Sequence, residues 1–111
     1  MSSNIQITPA QFSRLVGLPD APVLIDVRID EDVAADPRLL PASERRSHRD
    51  VADWACAYAG RKVVVICQRG QKFSEGVAAW LRHEGVEAEN LTGGFEAWRE
   101  AGGLLVETGK L

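Results

Sequence analysis

Cys67 stands one residue beyond the apolar run Lys62-Val63-Val64-Val65-Ile66 and opens the segment Gln68-Arg69-Gly70-Gln71-Lys72, after which a helical pattern resumes at Phe73. An open parallel sheet places its ligands beyond the carboxyl ends of its strands, so a cysteine at this junction is expected at the mouth of a site. Gly70 supplies the backbone freedom for a tight turn, in which successive N–H groups converge into an anion-binding nest. Arg69 and Lys72 add positive charge, and the first N–H groups of the next helix point back at the sulfur. Such surroundings favour a thiolate, the nucleophilic form of cysteine. The competing reading is a small buried hydrophobe that ends a strand, with Arg69 and Lys72 as solvated surface charges. Cys56, the other cysteine, lies within a helical pattern of Val51, Trp54, Ala55 and Tyr58 with no cation or glycine loop beside it. It is assigned to packing or to a partly covered helix flank.

The elements that position Cys67 are legible from period and punctuation. Thr8-Pro9-Ala10-Gln11 predicts a helix start, with Thr8 as N-cap, Pro9 at the first helical position and Gln11 closing a capping box. Phe12, Leu15 and Val16 form its apolar stripe. Residues 4–7 alternate as a short strand, and Val23-Leu24-Ile25-Asp26-Val27 suits a strand covered on both faces. Residues 28–44 show no sustained period, and Pro37 and Pro41 predict loop with at most a short strand after Pro41. Ser47 to Asp50 offers a second capping box ahead of a helix stopped by Gly60. Val77, Ala78, Trp80 and Leu81 mark a helix ending near Gly85, and residues 87–91 a last strand. Gly93-Gly94 then precedes a short helix stopped by Gly102-Gly103. Helix and strand alternate throughout, which implies parallel strands joined by helical crossovers in a compact, doubly covered α/β structure.

A chain of 111 residues is expected to form one domain spanning 1–111. Its formal net charge of −3 gives no global reason to bind nucleic acid or an anionic membrane. The local group Arg38, Arg45, Arg46 and Arg49 is interleaved with acids and lacks an aromatic stacking run. No basic segment followed by an apolar stretch opens the chain, so a cytoplasmic protein with reduced cysteines is expected. The two cysteines and two histidines are scattered at spacings unsuited to a metal, and no phosphate-loop or dinucleotide signature occurs. His48, among Arg45, Arg46 and Arg49, is read as a solvated histidine, and His83 receives no role.

Four segments together resemble the rhodanese, or thiosulfate sulfurtransferase, family in a single-domain form. They are Leu24-Ile25-Asp26-Val27-Arg28, the run from Val65 to Lys72 through Cys67, the helix containing Ser74, Ala78 and Leu81, and Leu91-Thr92-Gly93-Gly94-Phe95-Glu96-Ala97-Trp98. The resemblance implies a three-layer α/β/α fold around a central, mainly parallel sheet of five strands. It also implies a sulfane-sulfur transfer that needs no cofactor or metal. The cysteine takes sulfur from thiosulfate or a similar donor, holds it as a persulfide, and passes it to a thiophilic acceptor such as cyanide, a thiol or a protein. Carried onto this chain, Cys67 is the nucleophile, and Gln68, Arg69, Gly70, Gln71 and Lys72 cradle the persulfide and the departing anion. Asp26 and Arg28, at the end of another strand near the same sheet edge, are expected to support the loop, most simply as an ion pair.

The chain departs from the family where many members carry Gly-His-Ile-Pro-Gly-Ala. Here Arg38-Leu39-Leu40-Pro41-Ala42-Ser43 keeps the proline but loses the histidine and a glycine, and a charged segment follows to Asp50. Related cysteine phosphatases need a longer loop closed by an arginine that clamps phosphate bidentately, and the closing position here is Phe73. The remaining alternative is a non-catalytic binding or redox-sensing module of the same fold, with Cys67 as its oxidisable thiol.

Overall fold

The computed structural model describes residues 6–70 and 72–107, with Lys72 and Phe73 described by their backbone alone. The readings for Gln71, for the Lys72 side chain and for residues 4 and 5 lie outside the described residues. Strands β1 (Gln6–Ile7), β2 (Val23–Asp26), β3 (Ser43–Arg45), β4 (Lys62–Ile66) and β5 (Glu87–Leu91) form one sheet in the order β1-β5-β4-β2-β3. Every neighbouring pair is parallel, so the mainly parallel sheet expected is parallel throughout. The helices are α1 (Pro9–Ser13), α2 (Asp30–Ala35), α3 (Val51–Trp54), α4 (Lys72–His83) and α5 (Gly94–Glu100).

Alternation along each strand divides the core in two. Ile25, Val27, Val63 and Val65 face one way and meet Trp54, Ala55, Tyr58, Val77, Ala78 and Leu81. Leu24, Val64, Ile66 and Leu91 face the other way and meet Phe12, Phe95 and Trp98. Helices thus cover both faces, as a three-layer α/β/α structure requires. Burial of each such Val, Leu or Ile side chain contributes about 1.5–3 kcal/mol, which is why β2 and β4 read as unbroken apolar runs. From β2 the chain steps outward to β3, then returns past β2 to β4 and continues to β5 on the other side. The carboxyl ends of β2 and β4 therefore flank the topological switch point, where a parallel sheet opens a crevice.

Several local expectations hold. Thr8 Oγ1 accepts from the Gln11 N–H at 3.1 Å and Gln11 Oε1 accepts from the Thr8 N–H at 3.0 Å, completing the capping box. Helix α1 nevertheless stops at Ser13, and Leu15 and Val16 reach the core from the turn that follows. Ser47 does not form a capping box. Its hydroxyl accepts from the Arg49 N–H at 3.2 Å and starts a 3-10 turn over His48–Asp50, and α3 begins only at Val51. A second 3-10 segment, Ala55–Tyr58, follows α3. Three residues per turn put Ala55 and Tyr58 inside together and leave Cys56 exposed, neither packed nor partly covered.

The stretch read as loop also contains α2. This helix buries no residue, so no apolar period announces it; only Asp30, Glu31 and Asp32 in its first turn, complementing the helix dipole, mark its start. Among the described residues no helix is long and apolar enough to cross a membrane.

Candidate active site

Strand β4 ends at Ile66, and Cys67 continues its alternation on the face that carries Val63 and Val65. The loop it opens is pinned from below by α5. The Phe95 N–H donates to the Cys67 carbonyl at 2.8 Å, and the Glu96 N–H donates to the Gln68 carbonyl at 3.0 Å. With those carbonyls committed, loop N–H groups are left for the sulfur, and that of Gly70 donates to Cys67 Sγ at 3.1 Å. Ser74, fully buried in the first turn of α4, brings Oγ to 3.2 Å from the same sulfur.

Close backbone approach makes this pinning possible. Gly70 and Gly94 have φ of 70° and 62°, a region that side chains rarely adopt. A Cβ on Gly94 would lie 2.3 Å from the Cys67 carbonyl oxygen and 2.5 Å from the Gly70 nitrogen. The glycines at 70 and 94 are therefore one steric unit.

From the β2 side, Arg28 enters the loop as a fully buried guanidinium. Its Nε lies 3.1 and 3.3 Å from the two carboxylate oxygens of Asp26, and its own N–H donates to Asp26 Oδ1 at 2.9 Å. Nη2 donates to the Arg38 carbonyl at 2.8 Å, and Nη1 donates to the Asp36 carbonyl at 3.1 Å and reaches Gln68 Oε1 at 3.5 Å. The guanidinium plane rests 3.9 Å from the Phe95 ring centre. Burial pushes the Asp26 carboxyl up, and the Arg28 amide and guanidinium beside it oppose that shift.

The far side of the loop is tied to Glu96. Gln68 Nε2 donates to Glu96 Oε2 at 3.1 Å, and Arg69 Nε approaches the same oxygen at 3.4 Å. The Gln68 amide, and after it the Arg69 guanidinium, hold the Glu96 carboxyl below the usual range.

The structure thus brings Cys67, Gln68, Gly70, Asp26 and Arg28 together. It turns the Arg69 side chain, 71% exposed, along the rim to Glu96 rather than over the sulfur. Cys67 is only 4% exposed, so its thiol rests just beneath the surface rather than at an open mouth, with Val65 and Val77 in its apolar cluster. Ser74 and Glu96 join the site without having been singled out by residue type or spacing. The sequence signals for both are their places in segments that carry the family resemblance and in the first turn of a helix that follows a glycine. His48 is half-buried in the wall of an open cavity of about 660 Å³ beyond β2 and β3, beside Arg45, Arg46 and Arg49. The arginines there are largely paired, Arg45 with Asp30 at 3.2 Å and Arg46 with Glu44 at 3.7 Å.

A sequence profile described as the rhodanese-like domain matches residues 8–101. Among solved structures, the chain is similar to a rhodanese-related protein from Thermoplasma volcanium, with a TM-score of 0.79 and 21% identity over 93% of this chain and 98% of that one. A rhodanese-like domain protein from Staphylococcus aureus gives a TM-score of 0.78 and 23% identity over 93% and 97% of the two chains. A Rhodopseudomonas palustris protein of unknown function, suggested to be a tyrosine phosphatase, gives 0.82 and 25% identity over 94% and 86%. No curated protein matches.

Proposed function

This chain belongs to the rhodanese-like domain family, and from that premise we propose that it is a sulfurtransferase in which Cys67 carries a sulfane sulfur as a persulfide. The observation that carries the reading is the Cys67 sulfur itself, set at the end of the central strand with the Gly70 N–H at 3.1 Å and Ser74 Oγ at 3.2 Å. The Gly70 N–H already donates to the sulfur, and Ser74 Oγ, which accepts from the thiol, can turn its hydroxyl to donate once the proton has left, so charge on sulfur is stabilised with little reorganisation.

In the first step the Cys67 thiolate attacks the outer sulfur of thiosulfate or a similar donor. A new S–S bond forms, the donor's S–S bond breaks, and its electron pair leaves with sulfite or a thiolate. In the second step cyanide, a thiol or a protein thiolate attacks the outer sulfur of the persulfide and releases the Cys67 thiolate. Neither step needs an external oxidant or reductant. The Gly70 N–H and Ser74 hydroxyl hold the inner sulfur, while Gln68, fixed between Arg28 and Glu96, keeps the loop shape through both steps. Arg69, Gln71 and Lys72 complete the cradle in this reading. A phosphatase reading is disfavoured by Phe73 where a closing arginine would stand.

Intact mass after exposure of the reduced protein to a sulfane-sulfur donor tests the reading. The native protein and Cys56→Ser should each gain the mass of one sulfur atom, lost again on adding cyanide, whereas Cys67→Ser should gain none. A gain of oxygen with peroxide, and no gain of sulfur from any donor, would instead identify a redox sensor.

A further inference from the structure

We propose that Glu96 sets donor specificity, biasing the site away from thiosulfate and toward organic persulfides, R–S–SH, whose transferable sulfur is attached to a weakly charged body. The inference rests on the persulfide-carrier reading above and narrows its substrate class. Two of the loop's residues, Gln68 and Arg69, converge on one oxygen of this carboxylate, at 3.1 and 3.4 Å. Its position is fixed by the backbone as well, because the Glu96 N–H donates to the Gln68 carbonyl at 3.0 Å. A negative charge therefore sits on the rim of the loop, held by the residues one and two positions beyond Cys67. The Gln68 amide and Arg69 guanidinium keep the carboxyl ionised at neutral pH.

The two donor classes respond differently to that charge. Attack of the Cys67 thiolate on thiosulfate gathers a trianionic assembly and expels sulfite as a dianion. Attack on R–S–SH gathers one negative charge: the Cys67 thiolate bonds to the outer sulfur, the donor's S–S bond breaks, and R–S⁻ leaves with the electron pair. Among the described side chains, the two cations at the loop are each drawn to a carboxylate, Arg28 to Asp26 and Arg69 to Glu96. The guanidinium closest in sequence to the sulfur thus answers Glu96 before it answers a donor. Glu96 acts here as a positioning and specificity residue that reaches the donor through its field and through Arg69.

The test compares kcat/KM for thiosulfate with kcat/KM for 2-hydroxyethyl persulfide, which carries no charge outside its own sulfurs. Glu96→Gln should raise the thiosulfate-to-persulfide ratio by about 1.5- to 4-fold at low salt, the order expected when one partly screened charge near a dianion is removed. Adding Arg69→Ala to Glu96→Gln should return the ratio toward the native value, since the freed guanidinium provides part of the gain. A second measurement is the salt dependence: kcat/KM for thiosulfate should fall more steeply with salt in Glu96→Gln than in the native protein, because removing the acid leaves the loop cations unopposed, and the persulfide value should change little in either. A ratio that stays put or falls in Glu96→Gln, or a thiosulfate salt dependence that is the same in the two proteins, overturns the specificity role while leaving the persulfide carrier standing. Failure of the native protein to take sulfur from either donor overturns both.

Discussion

Gly94 lies so close beneath Gly70 that a methyl group on Gly94 would stand 2.5 Å from the Gly70 nitrogen, and one on Gly70 would stand 2.8 Å from the Gly94 nitrogen. The contact ties the Cys67 loop to α5, and it is paid for by two backbones at positive φ. Gly94→Ala is therefore expected to cost about 2 kcal/mol or more, combining left-handed strain with a clash against the Cys67 carbonyl. Persulfide yield should fall further than folded fraction, because the displaced atoms are those that aim the Gly70 N–H at the sulfur. Gly76, inside α4, is the control, because a methyl group there would meet nothing within 4 Å. Gly76→Ala should stabilise by up to about 1 kcal/mol. Urea midpoints and persulfide mass on the two variants separate these outcomes, and equal behaviour would refute the steric argument.

Arg28 makes a different prediction, because its charge is buried against a single carboxylate. Arg28→Met strands the Asp26 charge in the interior and leaves the Asp36 and Arg38 carbonyls without their donors, so it should cost about 3–5 kcal/mol. Asp26→Asn added to Arg28→Met should recover part of that loss, since the uncompensated charge is gone. A double variant as unstable as the sum of the singles would show that the guanidinium acts through packing on Phe95 rather than through the pair.

The features legible in the sequence share one property: their signal is local. The β4 run, the Thr8 capping box and the Gly93-Gly94 helix start each announce themselves within a few positions, and each stands where expected. Cys67 is legible for the same reason, as a thiol between an apolar strand and a glycine turn. Ser74 and Glu96 are not, because their importance is a distance to a loop seven and twenty-odd residues away in the chain, set by how α4 and α5 dock. Helix α2 escapes a periodicity argument because it buries nothing. Cys56 departs from its expected place because a 3-10 winding rotates it out of the stripe that an α-helix would make.

The departure at Pro41-Ala42 has a physical consequence that can be measured. Ala42 has φ of 63° and is the one non-glycine residue at positive φ among those described. It sits third in a turn closed by the Ser43 N–H to the Leu40 carbonyl at 3.1 Å, with Pro41 before it, where a type II turn calls for glycine. The family pattern has glycine at this place. Ala42→Gly should stabilise by about 0.5–1 kcal/mol, relief of left-handed strain exceeding the added freedom of the unfolded chain. A lower thermal midpoint for the variant would mean that the methyl group contributes more than its strain costs.

Acid sensitivity should trace to Asp36, which joins the Arg28 brace to α5. Its carboxylate accepts from Arg38 Nε at 2.9 Å and Nη2 at 2.8 Å and from Arg99 Nη1 at 3.1 Å, while its carbonyl takes Arg28 Nη1. The Arg38 guanidinium foremost, with help from the Arg38 amide and Arg99, holds this carboxyl far below the usual carboxylate range. A carboxyl depressed in the folded state contributes stability that is fully present above its unfolded value of about 3.9 and is lost as pH falls through the folded value. The native protein should therefore lose stability steadily below about pH 4. Asp36→Asn should be less stable at neutral pH by about 1–2 kcal/mol, the arginines being partly exposed, and should show a shallower decline in acid. Urea midpoints at about pH 7 and about pH 3 measure both quantities, and parallel declines in the two proteins would remove Asp36 as the acid-labile tie.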